Sequence, residues 1–123
     1  MRWLITSGIL GALGVALGAF GAHGLQERLT PDMLSTFEIG VRYQMYHAIA
    51  MLAASLAISK ETKWLSRACG AWLTGVVIFS GSLYLLALTD TRWLGAITPI
   101  GGLAFIAGWC CLILAGRAVA SRP

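Results

Sequence analysis

Four long apolar runs, separated by short charged stretches, dominate this 123-residue sequence. Each run is about twenty residues long, which is the length that an α-helix needs to cross the hydrocarbon core of a bilayer. Only 11% of the residues are charged, whereas about a quarter of the residues in a soluble domain are. Lipid offers no hydrogen-bond partner to an unpaired backbone, so each run is predicted to be helical.

The sequence therefore predicts an all-α protein, a four-helix transmembrane bundle. We expect residues 1–123 to form a single integral membrane domain. The predicted spans cover about residues 3–22, 39–59, 68–88 and 94–116.

The basic residues predict the orientation of these spans. Four spans place both termini and the middle loop on one side of the membrane, and cytoplasmic loops carry an excess of Lys and Arg. We therefore expect a multi-pass protein of the bacterial cytoplasmic (inner) membrane with both termini in the cytoplasm. The net charge of +4 follows from this topology and does not indicate a nucleic-acid partner. The predicted inner side carries Arg2, Lys60, Lys63, Arg67, Arg117 and Arg122, and the outer side carries Arg28, Arg42 and Arg92.

The first loop contains a further helical pattern. Thr30 is a suitable N-cap and Pro31 fits the first helical turn. Glu38 and Arg42 are spaced to form an i, i+4 pair. We expect a short helix in the outer interface between spans one and two, with a bend at Gly40 where it enters span two.

Glycines recur on one face of the first span, in GALGVALGAFGAHGL at residues 11–25. At 3.6 residues per turn they form a shallow stripe within about a quarter of the circumference. Small residues let membrane helices approach closely, so this stripe is predicted to pack against another span. Gly101 and Gly108 lie on one face of span four, and this face is a candidate for the surface against which the stripe packs. The predicted helix-packing residues are Gly11, Gly14, Gly18, Gly21, Gly101 and Gly108.

The polar residues of the spans gather toward the outer side, and we call them the outer polar cluster. Polar groups in a membrane are costly and tend to face the bundle interior or a cavity. One interpretation is structural: tyrosine anchors, serines bonded to helix carbonyls and hydrogen-bonded packing histidines. The other is a ligand site, in which two histidines hold haem or a metal, or histidine and tyrosine hold a quinone headgroup or a lipid. The cluster contains His23, Glu38, Arg42, Tyr43, Gln44, Tyr46, His47, Ser80, Ser82 and Tyr84.

No motif in the sequence indicates an enzyme. HExxH, GxSxG and P-loop patterns are absent, and no GxGxxG is followed by an acidic partner. Cys69, Cys110 and Cys111 form no CxxC pair, so a structural role is expected for them. No carboxylate lies deep in a predicted span, which disfavours an ion-coupled transporter. The sequence identifies no catalytic residue, cofactor or metal.

Two classes of function follow, and a third stays open. The first is a non-enzymatic accessory or binding module that docks onto a larger membrane complex or onto a second copy. The alternative is a haem-, metal- or quinone-binding redox or small-solute membrane protein that uses His23 and His47. A small channel or transporter built from several copies is the third.

Four motifs resemble a known family. They are GAFGAHGL at residues 18–25, FEIGVRYQMYHAIAML at 37–52, FSGSLYLLAL at 79–88 and ITPIGGLAFIAGW at 97–109. In this order they resemble the small membrane proteins grouped as domain of unknown function 423. The resemblance covers nearly the whole chain and implies four spans and an inner-membrane location. It implies no activity.

Overall fold

The computed structural model describes residues 1–57 and 63–121, and every regular element in those two ranges is helical. Helix α1 covers Arg2–Ala19 and continues into a π-helical turn, Phe20–Gly24. Helix α2 covers Pro31–Ala57. The all-helical prediction is thus confirmed. The last two residues of the predicted second span, together with Lys60 and Arg122, lie outside the described residues.

The second half of the chain forms two further long helical segments. Helix α3 covers Lys63–Gly75 and passes through a π-helical segment, Val76–Ser80, into α4, Gly81–Thr89. A short 3₁₀ helix, Arg92–Ala96, leads into α5, Thr98–Ala120. Because α3 and α4 are continuous, we describe them together as the α3–α4 helix.

The helices pack in chain order. Helix α1 packs along α2, α2 packs on the α3–α4 helix, and α5 packs along α3. At one end of the bundle the Trp3 indole donates a hydrogen bond to Ser66 Oγ at 3.0 Å. This end carries Arg2, Lys63 and Arg67, so the structure groups basic residues that the predicted topology places in the cytoplasm.

Three helical segments are long and apolar enough to cross a membrane: Arg2–Gly24, Lys63–Thr89 and Arg92–Ala120. Helix α2 is 27 residues long but does not meet the same criterion within the described residues. Near its middle α2 carries Arg42, Gln44 and His47, and these residues lower its mean hydropathy.

The predicted start of the helix in the first loop is confirmed, and this helix runs into the second predicted span, but the prediction of a short helix with a bend at Gly40 is wrong. Thr30 caps α2, because the Met33 amide donates to Thr30 Oγ1 at 3.3 Å, and Pro31 is the first helical residue. The helix then runs unbroken to Ala57. Gly40 makes no bend; a Cβ there would lie 2.7 Å from Cε1 of Tyr84. Glycine is therefore needed at this position for close approach of the Tyr84 ring.

The glycine stripe of α1 faces α2 in part. A Cβ at Gly18 would lie 3.3 Å from Val41 Cγ1, and one at Gly21 would lie 3.0 Å from Phe37 Cδ1. Gly14 similarly abuts Met45. Gly11 differs, since a Cβ there would meet no atom within 4 Å. These successive contacts run in opposite directions along the two helices, which are therefore antiparallel.

The glycines of α5 face a different helix from those of α1. Gly101 lies against the backbone of Phe79, and Gly108 lies against the Trp72 indole. Trp72 is fully buried, as are Met51 and Cys69, and together they centre the core between α2, α3 and α5. The two glycine surfaces thus bring α1 onto α2 and α5 onto the α3–α4 helix.

Candidate functional site

Gln44 joins three helices at the centre of the outer polar cluster. Its side chain is 3% exposed. Its Nε2 donates to the carbonyl oxygen of Leu10 on α1 at 2.8 Å, and its Oε1 accepts from the Tyr84 hydroxyl at 2.8 Å. The polar atoms of Gln44 are therefore used in contacts between helices.

The serines of the cluster make similar interhelical bonds. Ser80 is fully buried at the end of the π-helical segment, and its hydroxyl donates to the Gly40 carbonyl of α2 at 2.7 Å. The Ser82 and Thr98 hydroxyls share a hydrogen bond of 2.7 Å. These bonds tie the α3–α4 helix to α2 on one side and to α5 on the other.

His47 has both ring nitrogens occupied. The indole of Trp109 can only donate, and its Nε1 lies 3.2 Å from His47 Nε2. Nε2 must therefore accept, so Nδ1 carries the proton and donates to the Tyr43 carbonyl at 2.7 Å. The imidazole also stacks on Phe105, with ring centroids 3.6 Å apart. In this geometry His47 is a neutral bridge between α2 and α5.

The structure does not bring His23 beside His47. His23 is exposed in the π-helical turn that follows α1. The pairing of Gly21 with Phe37 puts His23 level with the start of α2, roughly 17 Å along the helix axis from His47. Within residues 1–57 and 63–121, no group of three or more His, Cys, Asp or Glu side chains is placed to hold a metal ion.

Other members of the cluster lie at the protein surface. Glu38 and Arg42 are exposed, and the ion pair recorded in the described part of the chain joins Arg92 to Asp90 instead. Tyr46 is 54% exposed. Tyr43 is partly exposed and packs on Phe79 with ring centroids 4.7 Å apart.

A groove runs between α2 and α5, with the α3–α4 helix as its floor. Its outer part, which we call the outer pocket, is a cavity of about 450 Å³. Aromatic residues dominate its walls, and Leu103 at its edge is 66% exposed, so the pocket opens onto the apolar surface of the bundle. Its lining includes Tyr43, His47, Phe79, Gly102, Phe105 and Trp109.

The inner part of the same groove, which we call the inner groove, consists of two adjoining cavities of about 260 and 440 Å³. They share Ala57, Leu65 and Leu112 as walls. Trp109 lines both the outer pocket and the nearer inner cavity. Its hydrogen bond to His47 therefore crosses the groove and divides the outer pocket from the inner groove.

Trp72 lines the inner groove, and its indole nitrogen lies against Gly108. Its Nε1 is buried, and it is the one such side-chain atom without a hydrogen-bond partner in the described ranges. The Trp72 ring is tilted against Trp109, with centroids 4.9 Å apart. The sequence interpretation missed Trp72, Trp109 and Phe105. The spacing of Phe105 and Trp109, four residues apart on one face of α5, was the available signal.

Comparison with known proteins finds relatives that are named as membrane proteins. The family described as "Protein of unknown function (DUF423)" matches residues 17–102. The UPF0382 membrane protein of Staphylococcus haemolyticus is 51% identical over 86% of this chain and 90% of its own length. The UPF0382 membrane protein YwdK of Bacillus subtilis is 42% identical over 92% of this chain and 94% of its own.

A third relative is named for its location. The UPF0382 inner membrane protein YgdD of Escherichia coli is 38% identical over 90% of this chain and 86% of its own length. No solved structure matches the chain. The resemblance drawn from the four motifs is thereby confirmed, and the chain belongs to the DUF423 family of membrane proteins.

Proposed function

We propose that the chain crosses the inner membrane four times, with α2 as the second span and both termini in the cytoplasm. Helix α2 is about 40 Å long, enough to cross a hydrocarbon core of about 30 Å. Two of the residues that lower its hydropathy, Gln44 and His47, are buried and hydrogen-bonded. Their polar atoms are thus shielded from lipid.

The inner half of α2 supports the same topology. Ile49, Leu52 and Leu56 are 60%, 41% and 70% exposed on its surface. Such an exposed apolar face suits contact with lipid. Helix α2 also packs antiparallel to α1 along its length, and α1 is one of the membrane-length helices.

Reporter fusions test this topology. A reporter that is active only in the cytoplasm is attached to either terminus, and a reporter that is active only outside is inserted after Leu29. Four spans predict activity from all three fusions. A three-span chain puts the termini on opposite sides, so loss of signal from one terminal fusion, with that fusion present in the membrane, contradicts the proposal.

For function, we propose a non-enzymatic protein that binds a membrane-dissolved hydrophobic molecule between α2 and α5. The observation that carries this proposal is the groove itself: a lateral, apolar cleft of ligand size, open toward lipid and with aromatic walls in its outer pocket. Ligand sites in proteins are mostly apolar concavities with a few polar groups. The buried polar side chains of the outer polar cluster, Gln44, His47, Ser80 and Ser82, are already used in hydrogen bonds between helices. The groove, by contrast, is unfilled.

The shape of the groove favours a slender ligand over a partner helix. An α-helix with its side chains is about 10 Å wide and needs an unbroken channel from one membrane surface to the other. The bond between Trp109 and His47 interrupts the groove midway. A hydrocarbon chain needs only one part of it.

Glycine substitutions that fill the groove test this function. A Cβ at Gly116 meets no atom within 4 Å, and one at Gly102 meets only Phe79 at 4.0 Å. Gly116→Leu should fill the inner groove and Gly102→Leu the outer pocket. The matched control is Gly81→Leu, because a Cβ at Gly81 also meets no atom within 4 Å and Gly81 lines neither cavity.

The readout is native mass spectrometry of protein purified in mild detergent. We expect bound lipid-sized adducts on the parent and on Gly81→Leu, and at least tenfold fewer on the Gly102→Leu, Gly116→Leu double variant. Equal adducts on all three proteins would contradict the proposal. A stoichiometric protein partner that is lost from the double variant would also contradict it, and would indicate an accessory subunit.

A further inference from the structure

We infer that the inner groove holds an acyl chain of an anionic phospholipid from the cytoplasmic leaflet, with the lipid phosphate beside the basic residues at the inner end of the bundle. This inference rests on the proposed binding function and on the proposed orientation. It adds the chemical class of the ligand and the leaflet from which the ligand enters.

The length of the inner groove matches one leaflet. Along α5 the groove extends from Trp109 to Ala120, which is about 17 Å of helix. Half of a bilayer hydrocarbon core is about 15 Å. The groove is closed at its deep end by the bond between Trp109 and His47, so a chain that enters from the inner surface ends near the bilayer midplane.

The walls of the inner groove fit a hydrocarbon chain. Ala50, Ala53, Ala54 and Ala57 of α2 line one side, and Gly116 of α5 lies opposite. Such small side chains leave a narrow cleft without polar groups along most of its length. Flexible methylene chains fill clefts of this shape through dispersion contacts.

Basic side chains lie at the end of the bundle where the inner groove has its mouth, and their charge favours a phosphate. Ala120 lines the groove at its mouth, and exposed Arg117 lies one turn before it on the same face of α5. Exposed Arg67, on α3, lies at the same end of the bundle. The acidic side chains in the described ranges, by contrast, are at the other end of the bundle. In the described ranges the inner end carries four basic residues, Arg2, Lys63, Arg67 and Arg117. The acidic residues of the other end are Glu27, Asp32, Glu38 and Asp90.

Basic clusters at the cytoplasmic end of membrane helices attract anionic lipid headgroups. Arg67 is also held in place, because its guanidinium carbon lies 4.7 Å from the centroid of the Trp64 ring. The charge at the mouth therefore selects among lipids, while the groove supplies contact with the chain.

The test compares phosphatidylglycerol with phosphatidylcholine of the same acyl chains, titrated into the purified full-length protein and followed by native mass spectrometry. We expect phosphatidylglycerol to bind at least tenfold more tightly. Gly116→Leu should weaken its binding at least tenfold, whereas Gly102→Leu, which fills the outer pocket, should not change it.

Charge variants separate headgroup selection from chain binding. Arg67→Gln and Arg117→Gln should each weaken phosphatidylglycerol binding about fivefold and leave phosphatidylcholine binding unchanged. The matched control is Arg92→Gln, at the other end of the bundle, which should affect neither lipid. Retention of helical circular dichroism confirms that each variant is folded.

Three results would overturn the inference. Equal binding of the two lipids, still lost in Gly116→Leu, would leave the proposed function standing and remove the anionic headgroup. Loss of binding in the arginine variants but not in Gly116→Leu would show a surface contact outside the groove. Absence of any lipid binding, in the parent as in the variants, would remove the proposed function itself.

Discussion

Gln44 shows how a single polar residue in a membrane helix can stabilise the contacts between helices. Its amide takes part in two hydrogen bonds to different helices, where lipid would offer none. Such bonds in membrane proteins contribute about 0.6 kcal/mol on average and up to about 1.7 kcal/mol. The sequence predicted that Gln44 and Tyr84 lie at a similar level in the bundle, because the order and direction of the helices fix the level of each residue. It did not predict their pairing, which depends on how each helix is rotated about its axis.

A double-mutant cycle tests this pairing. Gln44→Leu and Tyr84→Phe should each lower the free energy of unfolding by about 1 kcal/mol, because each leaves its partner unpaired in the interior. The double variant should lose less than the sum of the two, with a coupling of roughly 0.6 to 1.7 kcal/mol. The measurement is reversible unfolding in mixed detergent micelles. Additive losses would show that the two side chains do not interact. The control is Glu38→Gln, which changes an exposed residue and should leave the free energy of unfolding unchanged.

Gly101 and Gly102 offer a matched pair of neighbouring residues. A Cβ at Gly101 would lie 2.8 Å from Cα and 2.7 Å from Cβ of Phe79, whereas the nearest atom to one at Gly102 is 4.0 Å away. The backbone of Phe79 cannot move aside as a side chain can. Gly101→Ala should therefore lose about 1 to 3 kcal/mol of stability, and Gly102→Ala should be nearly neutral. Similar unfolding curves for the two variants would contradict the close contact between α5 and the α3–α4 helix.

At the scale of elements, the sequence predicted glycine faces but not their neighbours. The stripe on α1 indicated a close helix contact, and the structure supplies α2 as the partner for Gly14, Gly18 and Gly21. The pair on α5 was a candidate partner for that stripe, but it packs on the α3–α4 helix. Periodicity determines which residues share a face; it carries no information about which helix lies opposite. The bend predicted at Gly40 was wrong for a similar reason. Residue spacing does not show that the Tyr84 ring approaches this glycine.

The α1–α2 contact gives a prediction for a whole helix pair. Gly18→Leu should push α1 away from α2, because a Cβ at Gly18 already lies 3.3 Å from Val41 Cγ1 and a larger side chain requires Val41 to move. Gly11→Leu is the control, since a Cβ there meets no atom within 4 Å. We expect less folded protein in the membrane and a lower unfolding temperature for Gly18→Leu alone. Parent-like yield and stability of Gly18→Leu would show that this face of α1 does not pack on α2.

At the scale of the whole molecule, the sequence predicted the helices and the membrane location, but it did not predict the groove between α2 and α5. Apolar length and charge placement are local properties, so they are readable from the chain. The groove is not, because it exists only where α2 and α5 both pack on the α3–α4 helix and leave space between them. Trp109 and Phe105 were therefore overlooked, although they dominate the outer pocket.

Cysteine labelling tests whether the exposed surface of α5 faces lipid. Cys110 is exposed near the middle of α5, and Cys69 is buried. If α5 lies in the hydrocarbon, a membrane-impermeant maleimide should not reach Cys110 until the protein is unfolded in detergent. An introduced Ser35→Cys, exposed in the first turns of α2, should react in intact membranes from the outer side. Mass spectrometry of the labelled peptides gives the result, and rapid labelling of Cys110 would place α5 in water.

The interior hydrogen bonds of α2 have a consequence for biosynthesis. As the chain leaves the ribosome, α2 follows α1 but precedes the α3–α4 helix, so the Leu10 carbonyl is available to Gln44 before Tyr84 and Ser80 have emerged. Until Tyr84 and, later, Trp109 have left the ribosome, Oε1 of Gln44 and Nε2 of His47 lack their partners from the other helices. A released chain that ends after Ala57 should therefore leave its second helix only partly inserted, and extension through Ala120, which adds both partners, should complete the insertion.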